Sequence, residues 1–559
     1  MSKQTAADIL VDTLIAWKVD TIFGLPGDGN NGILEALRQK QDKIRLIVVR
    51  HEESAAFMAS AYAKYTGRLG VCLSTGAPGA IHLLNGLYDA KVDRQPVLAI
   101  TGNQFHDLMQ THGQQDVNLD NLFADLTVYN ARIMGASHVE PTTNLAIRHA
   151  LAQRGVSHLT FPKDLQSQLV EEDKASMRNY PHHTSQVMAE GDHQADPLAI
   201  QKAADLLNAG GKIAILAGQG ALDAGDLLEQ AAEILGAPII KALLGKAAVP
   251  DDSPYTTGTI GYLGTEPSHT VVQNLDTLLM VGTNFPYMEY MPHPAQARAV
   301  QIDLDPTRIG IRYPVEVGLV GDSRKTLQKL LPLLKRKEDR SFLTQAQEGM
   351  QQWWQLMEKR GTAQTLPMKP QVVAWELGKQ LTSTAIVSCD SGSITHWWAR
   401  QIKAQKGQMF SISGNNGSMA CSLPYTLAAQ IAHPDRQCVA FAGDGGFSML
   451  MGEFSTAVKY NLPIKVVVFK NNKYSAITWE QKILLGNPEF ATEISPIDFV
   501  AFAEACGAKG YRIDDPATAA DILRQALAEP GPVIIEAVVD PDEMPHAPTV
   551  TPKAFLRKS

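Results

Sequence analysis

Residues 437–472, QCVAFAGDGGFSMLMGEFSTAVKYNLPIKVVVFKNN, decide how the chain is read. The apolar run QCVAFA closes on Gly443-Asp444-Gly445, and a helix-like segment, GFSMLMGEFSTAVKYN, follows it. A second apolar run, IKVVVF, then ends at Asn471-Asn472. The unit reads as strand, glycine turn, helix, strand, with an oxygen ligand at the end of each strand. Open α/β sheets bind ligands outside the carboxyl ends of their strands. A carboxylate and an amide meeting there beside glycine-exposed backbone suit a magnesium ion carrying a diphosphate. Taken singly, an Asp-Gly turn and an Asn-rich loop are ordinary structure; their pairing on one βαβ unit favours the metal-diphosphate reading.

The same alternation extends in both directions. Residues 1–180 interleave AADILVDTLIAW, DTIFGL, GILEALRQK, IRLIVVR, HEESAAFMASAYAKYTG and LGVCLST. A polar, His- and Pro-bearing stretch, Glu171 to Pro197, reads as a linker. KIAILAG, APIIKAL, DTLLMVG and RAVQIDLDP resume the pattern, and EDRSFLTQAQEGMQQWWQLMEKR reads as a helical connector. Short apolar strands alternating with amphipathic helices predict parallel sheets covered on both faces. The fold class expected is α/β, with three doubly wound parallel-sheet domains at 1–180, 190–340 and 360–545 and a tail at 546–559.

A chain of 559 residues with 45% hydrophobic and 19% charged residues has ample core for three such units. Its net charge of −8 is dispersed, which argues against nucleic acid as a partner. Basic patches at Lys335–Arg340, Lys459–Lys473 and Lys553–Ser559 read as solvated surface. Cys72, Cys389, Cys421, Cys438 and Cys506 form no metal spacing and are expected to be reduced. The N-terminus lacks the pattern of a signal peptide, and no run approaches the roughly 20 apolar residues of a membrane span. A cytoplasmic location without membrane anchoring is expected.

Other candidates compete with plainer readings. Gly27-Asp-Gly-Asn-Asn-Gly32 satisfies GxGxxG after DTIFGL, with Glu52 and Glu53 about 20 residues on, as a nicotinamide fold requires. Glycine turns are common in α/β proteins, and the 443–472 unit is the better-specified phosphate site. Glu52, at a helix start after IRLIVV, is on position alone a residue complementing the helix dipole. Its functional reading is a carboxylate poised to hold a cofactor proton. His82 follows another glycine turn, Thr75 to Gly79, at a third strand end. Trp353, Trp354, Trp397 and Trp398 read as packing residues.

At these residues the chain resembles the thiamine diphosphate enzyme superfamily over essentially its whole length. GDG answered by NN is similar to that family's cofactor motif, and RHEE to the segment carrying its activating glutamate. GLPGDGNNGILEAL, HEESAAFMASAYA, TGAPGAIHLLNGLYDA, NNGSMACSLP and GDGGFSMLMGEF resemble the pyruvate oxidase and quinone-dependent pyruvate dehydrogenase branch. ALLGKAAV, VGTNFPY, QIDLDP and VGD are similar to the flavin-binding central domain of that branch.

The resemblance implies Asp444, Asn471 and the Lys473 carbonyl as magnesium ligands, and Gly443, Gly445 and Gly446 as the diphosphate cradle. It implies Pro26, Gly27, Ser393 and Tyr474 as further cofactor contacts and Met419 as the wedge that bends thiamine diphosphate. Glu52 would bond the aminopyrimidine, with His82, Gln115 and Glu480 near the reacting centre. Gly218, Gly282, Thr283, Asp303 and Asp322 would hold FAD. The activity implied is oxidative decarboxylation of pyruvate or a related 2-oxo acid to acetate or acetyl phosphate and carbon dioxide. Quinone, oxygen or phosphate would be the acceptor. A non-oxidative decarboxylase or carboligase of the acetolactate synthase type is the alternative, and a nicotinamide dehydrogenase a third. The family assembles its site between subunits, which implies a homo-oligomer, with a tetramer usual.

The chain departs from the branch at four places. Gln114 stands where phenylalanine is usual, and Ala476, followed by Ile477, where an aromatic residue is usual, so the substrate pocket is expected to be roomier or more polar. Leu244 replaces an arginine expected in the flavin domain. The chain stops at Lys558-Ser559 without the amphipathic tail of membrane-activated members, so lipid activation is not expected.

Overall fold

Apolar runs too short for helices become the strands of three six-stranded sheets in a computed structural model describing residues 4–169 and 193–545. The expected linker lies largely outside the described residues, and the 546–559 tail with its basic end lies wholly outside them. The first sheet comprises β1 (Thr21–Gly24), β2 (Arg45–Val48), β3 (Gly70–Ser74), β4 (Val97–Asn103), β5 (Tyr129–Arg132) and β6 (Val156–Pro162). The second comprises β7 (Ile213–Ala217), β8 (Ile239–Lys241), β9 (Thr256–Thr259), β10 (Thr277–Val281), β11 (Arg298–Asp303) and β12 (Val317–Val320). The third comprises β13 (Ile386–Cys389), β14 (Met409–Ile412), β15 (Cys438–Gly443), β16 (Lys465–Lys470), β17 (Lys509–Ile513) and β18 (Val533–Val538). All pairs within these sheets run parallel. Central strands such as β4 and β10 are buried along their whole length, as a sheet covered on both faces requires. This is the α/β class expected from the sequence.

Strand order locates the crevices. The first and third sheets share one topology, β2-β1-β3-β4-β6-β5 and β14-β13-β15-β16-β18-β17. In both, the connections change direction between the first and third strands, where doubly wound sheets bind ligands. The second sheet runs β12-β11-β10-β7-β8-β9, the order of dinucleotide-binding folds, with its switch point between β7 and β10.

The first and third sheets join through the helices Glu52–Thr66 and Ser422–Ala432, which pack against each other. Ala55, Ala56 and Ala59 keep the first of these slim, and Phe57 meets Tyr425 edge to face with centroids 6.2 Å apart. The connector forms the helix Ser341–Gly361, Trp397 and Trp398 are buried in packing, and all five cysteines are free. No helix among the described residues is long and apolar enough to cross a membrane.

Two expectations need correcting. The segment after Asp444 is not one helix: Asp444–Leu450 and Phe454–Lys459 are separated by a tighter turn, Met451–Glu453. Gly452 weakens the helix by about 1 kcal/mol relative to alanine, and the buried Glu453 side chain is engaged by the backbone N–H of Arg50. The patch 459–473 is also not solvated throughout. Lys465 is buried and donates to the carbonyls of Glu529 and Gly531, and burial pulls its ammonium down to about 8.

Candidate active site

β15 and β16 are neighbours, with Gly443 opposite Phe469, so Asp444 and Asn471 leave adjacent strand ends. Asp444 Oδ2 accepts from the N–H groups of Asn471 at 3.0 Å and Asn472 at 2.6 Å, and Oδ1 accepts from Gly445 at 2.9 Å. Burial pushes the Asp444 carboxyl up, and these three donors oppose the shift. Asn471 Oδ1 accepts from Lys473 N–H at 3.1 Å, while its amide nitrogen donates to Ser475 Oγ. Asn472 has a φ of 56°, a left-handed turn that asparagine tolerates better than most side chains. Tyr474 N–H donates to the Thr492 carbonyl, which pins the loop.

The three glycines differ in surroundings. A Cβ at Gly443 would meet nothing within 4 Å, whereas one at Gly445 would lie 2.7 Å from the Tyr474 ring. At Gly446 it would lie 2.5 Å from Asp390 Oδ2. Asp390 follows β13, is buried, and accepts at Oδ1 from Ser422 N–H at 2.7 Å, while Oδ2 has no hydrogen-bond partner among the described residues. Burial raises its carboxyl to about 6. The half-buried Met419 precedes Ala420, whose φ is 67°, in the loop that Asp390 anchors. Ser393 immediately precedes the helix Ile394–Gln401, also at the β13 end. Asp390, Ser393, Met419, Asp444 and Asn471 therefore gather around the β13–β15 switch point and its β16 neighbour.

The first sheet builds a second group. Glu52 opens its helix, is 5% exposed, and lies with Oε2 2.9 Å from His82 Nδ1. A Cβ at Gly79 would come within 2.9 Å of Glu52 Oε1, so glycine there lets the β3 loop close over the carboxylate. The His51 and His82 rings stack with centroids 4.4 Å apart. The His51, Glu52 and His82 ligand atoms lie within 4.8 Å of one another, with His51 Nδ1 accepting from Glu53 N–H at 3.2 Å and His82 Nδ1 engaged with Glu52. Gly27 to Gly32 serve packing: a Cβ at Gly27 would strike Thr75, and one at Gly32 would strike Gln166. Asn30 Oδ1 accepts from Gly27 N–H at 3.0 Å. Pro26 is exposed beside this turn. Gln115, at a φ of 59°, lines a small recess with Gly29, Thr75, Gly76 and Asn103.

At the second sheet, Gly218 follows β7 and Gly282 and Thr283 follow β10, on either side of the switch point. Their backbones touch: a Cβ at Gly218 would lie 2.6 Å from the Gly282 carbonyl oxygen. The N–H groups of Gly218, Gly220 and Gly282 all donate to backbone carbonyls. Asp303 ends β11, its carboxyl raised by burial, and Arg94 of the first unit reaches Asp305 at 3.2 Å beside it. Asp322 caps the helix Ser323–Leu330 through Lys325 N–H. Leu244 packs where a Cβ at Gly414 would fall, against the Met419 loop.

Gln114, Ile477 and Glu480 are exposed and Ala476 is half-buried. No hydrogen bond among the described residues joins Glu52 to the Asp444 loop. Asn85 bridges their neighbours instead, donating to Glu53 Oε1 at 2.7 Å and to Ser418 Oγ at 2.9 Å. Sequence reasoning passed over Asn85, Asp390 and Glu453, although the last stands in the quoted GEF.

This arrangement has counterparts among known proteins. Residues 4–122, 200–330 and 390–537 match the N-terminal TPP binding, central and C-terminal TPP binding domains of the thiamine pyrophosphate enzymes. The chain belongs to the thiamine pyrophosphate enzyme family. It is 40% identical to the thiamine pyrophosphate-containing protein YdaP of Bacillus subtilis, over 96% of this chain and 92% of the relative. It is 32% identical to pyruvate oxidase of Lactiplantibacillus plantarum, over 97% and 90%. It is 28% identical to an acetolactate synthase of Mycobacterium bovis, over 97% and 89%.

Proposed function

We propose that the chain decarboxylates pyruvate or a closely related 2-oxo acid using thiamine diphosphate, magnesium and FAD. The observation that carries this reading is that Asp444 and Asn471 leave adjacent strand ends beside a glycine turn with open space at Gly443, with the Lys473 carbonyl as the proposed third oxygen donor. It is complemented by a buried carboxylate, Glu52, in the first unit. The residues fit the group: three oxygen donors leave room for phosphate and water on a six-coordinate magnesium ion. Gly443 also leaves open space where any side chain would intrude.

Asp444, Asn471 and Lys473 would hold the metal. Gly445 and Gly446, at a helix start, would face the diphosphate, and Met419 would support the bend of the cofactor. Pro26, Gly27, Ser393 and Tyr474 would complete its surroundings. Bound there, thiamine diphosphate supplies a nucleophilic carbon and an electron sink for release of carbon dioxide. Glu52 would hold a proton at the pyrimidine ring, and His82 would orient Glu52 through its 2.9 Å contact. Gln115 would hydrogen-bond substrate oxygen, and Glu480 would protonate it. Gln114, Ala476 and Ile477 would shape the pocket.

FAD would lie across the β7–β10 switch point among Gly218, Gly282, Thr283, Asp303 and Asp322 and accept two electrons. With water as acyl acceptor, pyruvate and FAD give acetate, carbon dioxide and reduced flavin; phosphate would give acetyl phosphate. Quinone or oxygen would reoxidise the flavin. Residues 1–180, 190–340 and 360–545 are proposed as the pyrimidine-, flavin- and pyrophosphate-binding domains of a cytoplasmic homotetramer.

A second reading, a carboligase of the acetolactate synthase type, is favoured by one observation. The spent N–H groups of Gly218, Gly220 and Gly282 and the apolar Leu244 leave the flavin crevice poor in phosphate donors. Mass and absorption spectra of released cofactors, followed by anaerobic pyruvate, separate the two. Bleaching of a bound flavin supports the oxidative reading. Acetolactate formed without bleaching would overturn it.

A further inference from the structure

The turn that interrupts the helix after Asp444 has a consequence for Glu52. β2 ends at Val48, so the N–H of Arg50 has no ladder partner, and the buried Glu453 carboxylate needs donors. Glu453 reaches Arg50 from the third unit: its Oε1 and Oε2 lie 3.2 Å and 3.1 Å from Arg50 N. Glu453 is 1% exposed and also accepts from Thr456 Oγ1 at 2.5 Å, which fixes its rotamer. Two positions earlier in the first unit, Val48 N–H donates to Tyr460 Oη at 2.8 Å. The segment that starts at the metal-ligand candidate Asp444 therefore grips the backbone entering Glu52 at two points.

We infer that Glu453 is a positioning residue for Glu52, setting the carboxylate through the Arg50 backbone rather than touching cofactor or substrate. A carboxylate suits the task because both oxygens face one N–H, so small shifts of Arg50 do not break the contact. The inference rests on the reading of Glu52 proposed above.

The test is the C2-proton exchange rate of bound thiamine diphosphate in Glu453→Gln, Glu52→Gln and the double variant. Cofactor and magnesium affinities are measured alongside by fluorescence titration. A misplacement near 1 Å costs about 100-fold, so E453Q is expected to exchange about 10- to 100-fold more slowly than wild type. Its affinities should stay within about threefold, and the double variant should be no slower than E52Q, because both act through one carboxylate. Wild-type exchange in E453Q, or losses that multiply in the double variant, would overturn the inference. Thr456→Val, which frees Glu453 without removing it, should slow exchange several-fold in the same direction, and it decides the matter if E453Q does not fold. A wild-type rate in T456V would then count against the inference. Wild-type exchange in E52Q alone would instead overturn the reading of Glu52 itself, a separate failure that takes this inference with it.

Discussion

Replacing Gly443 and Gly446 in turn with alanine separates what glycine does for the fold from what it does for the cofactor. At Gly446 the new methyl would lie 2.5 Å from Asp390 Oδ2 and 3.3 Å from its Cγ. Asp390 cannot swing away, because Ser422 N–H holds its Oδ1 and Thr395 Oγ1 holds its carbonyl. Overpacking of this kind costs about 1–3 kcal/mol. At about 2–4 °C per kcal/mol for a domain of this size, Gly446→Ala should melt about 2–12 °C below wild type without cofactor. Gly443→Ala adds a methyl to empty space at a φ of −86°, ordinary for alanine, so its cofactor-free melting should match wild type. With magnesium present, however, the methyl would occupy the diphosphate's space, and thiamine diphosphate affinity should fall at least tenfold, a loss of about 1.4 kcal/mol. Thermal melts without cofactor and fluorescence titrations with it provide the two readouts. A destabilised Gly443→Ala or an undisturbed Gly446→Ala would refute the packing argument. Wild-type affinity in Gly443→Ala would place the diphosphate elsewhere.

Asp444→Asn keeps the shape but removes the charge, so the magnesium concentration that half-saturates cofactor binding should rise at least about tenfold; an unchanged requirement would move the metal. Lys64→Met should cost about 3–5 kcal/mol in urea unfolding, because Lys64 is the buried partner of Asp93 at 2.7 Å and Asp89 at 3.6 Å within the first unit and also donates to the Ile412 carbonyl and Tyr425 Oη of the third. A loss below about 1 kcal/mol, typical of a surface pair, would contradict that burial. Asp390 predicts a pH effect of definite sign. Its folded carboxyl titrates at about 6, above the unfolded value, so the folded cofactor-free protein binds more protons. Its contribution should fall as pH rises from about 4 to about 6, and Asp390→Asn should remove that fall from the melting profile. An unchanged slope would refute the assignment.

The parallel sheets were legible because β15 and β16 are β-branched and aromatic runs broken by glycine and asparagine, signals confined to a few residues. Asp444 and Asn471 were legible for the same reason: one βαβ unit holds both. Glu453 was not, because its partner Arg50 is 403 positions away and the intervening GEF reads as ordinary helix. Asp93 looks like a surface turn residue in KVDRQP, yet it is buried against Lys64 and the N–H groups of Gly414 and Asn415. Lys465 misled in the same way, since a lysine beginning a strand resembles an exposed edge until its buried carbonyl acceptors are seen. Local pattern identifies the strand ends, whereas contacts between units depend on how the sheets pack, and no spacing records that.

The most direct measurement is the C2-proton exchange of thiamine diphosphate bound to wild-type protein and to Glu52→Gln. General base catalysis by a positioned group contributes about 100- to 10,000-fold. The rate should fall at least about 100-fold in Glu52→Gln with cofactor and magnesium still bound. Exchange at the wild-type rate in that variant would contradict the role assigned to Glu52.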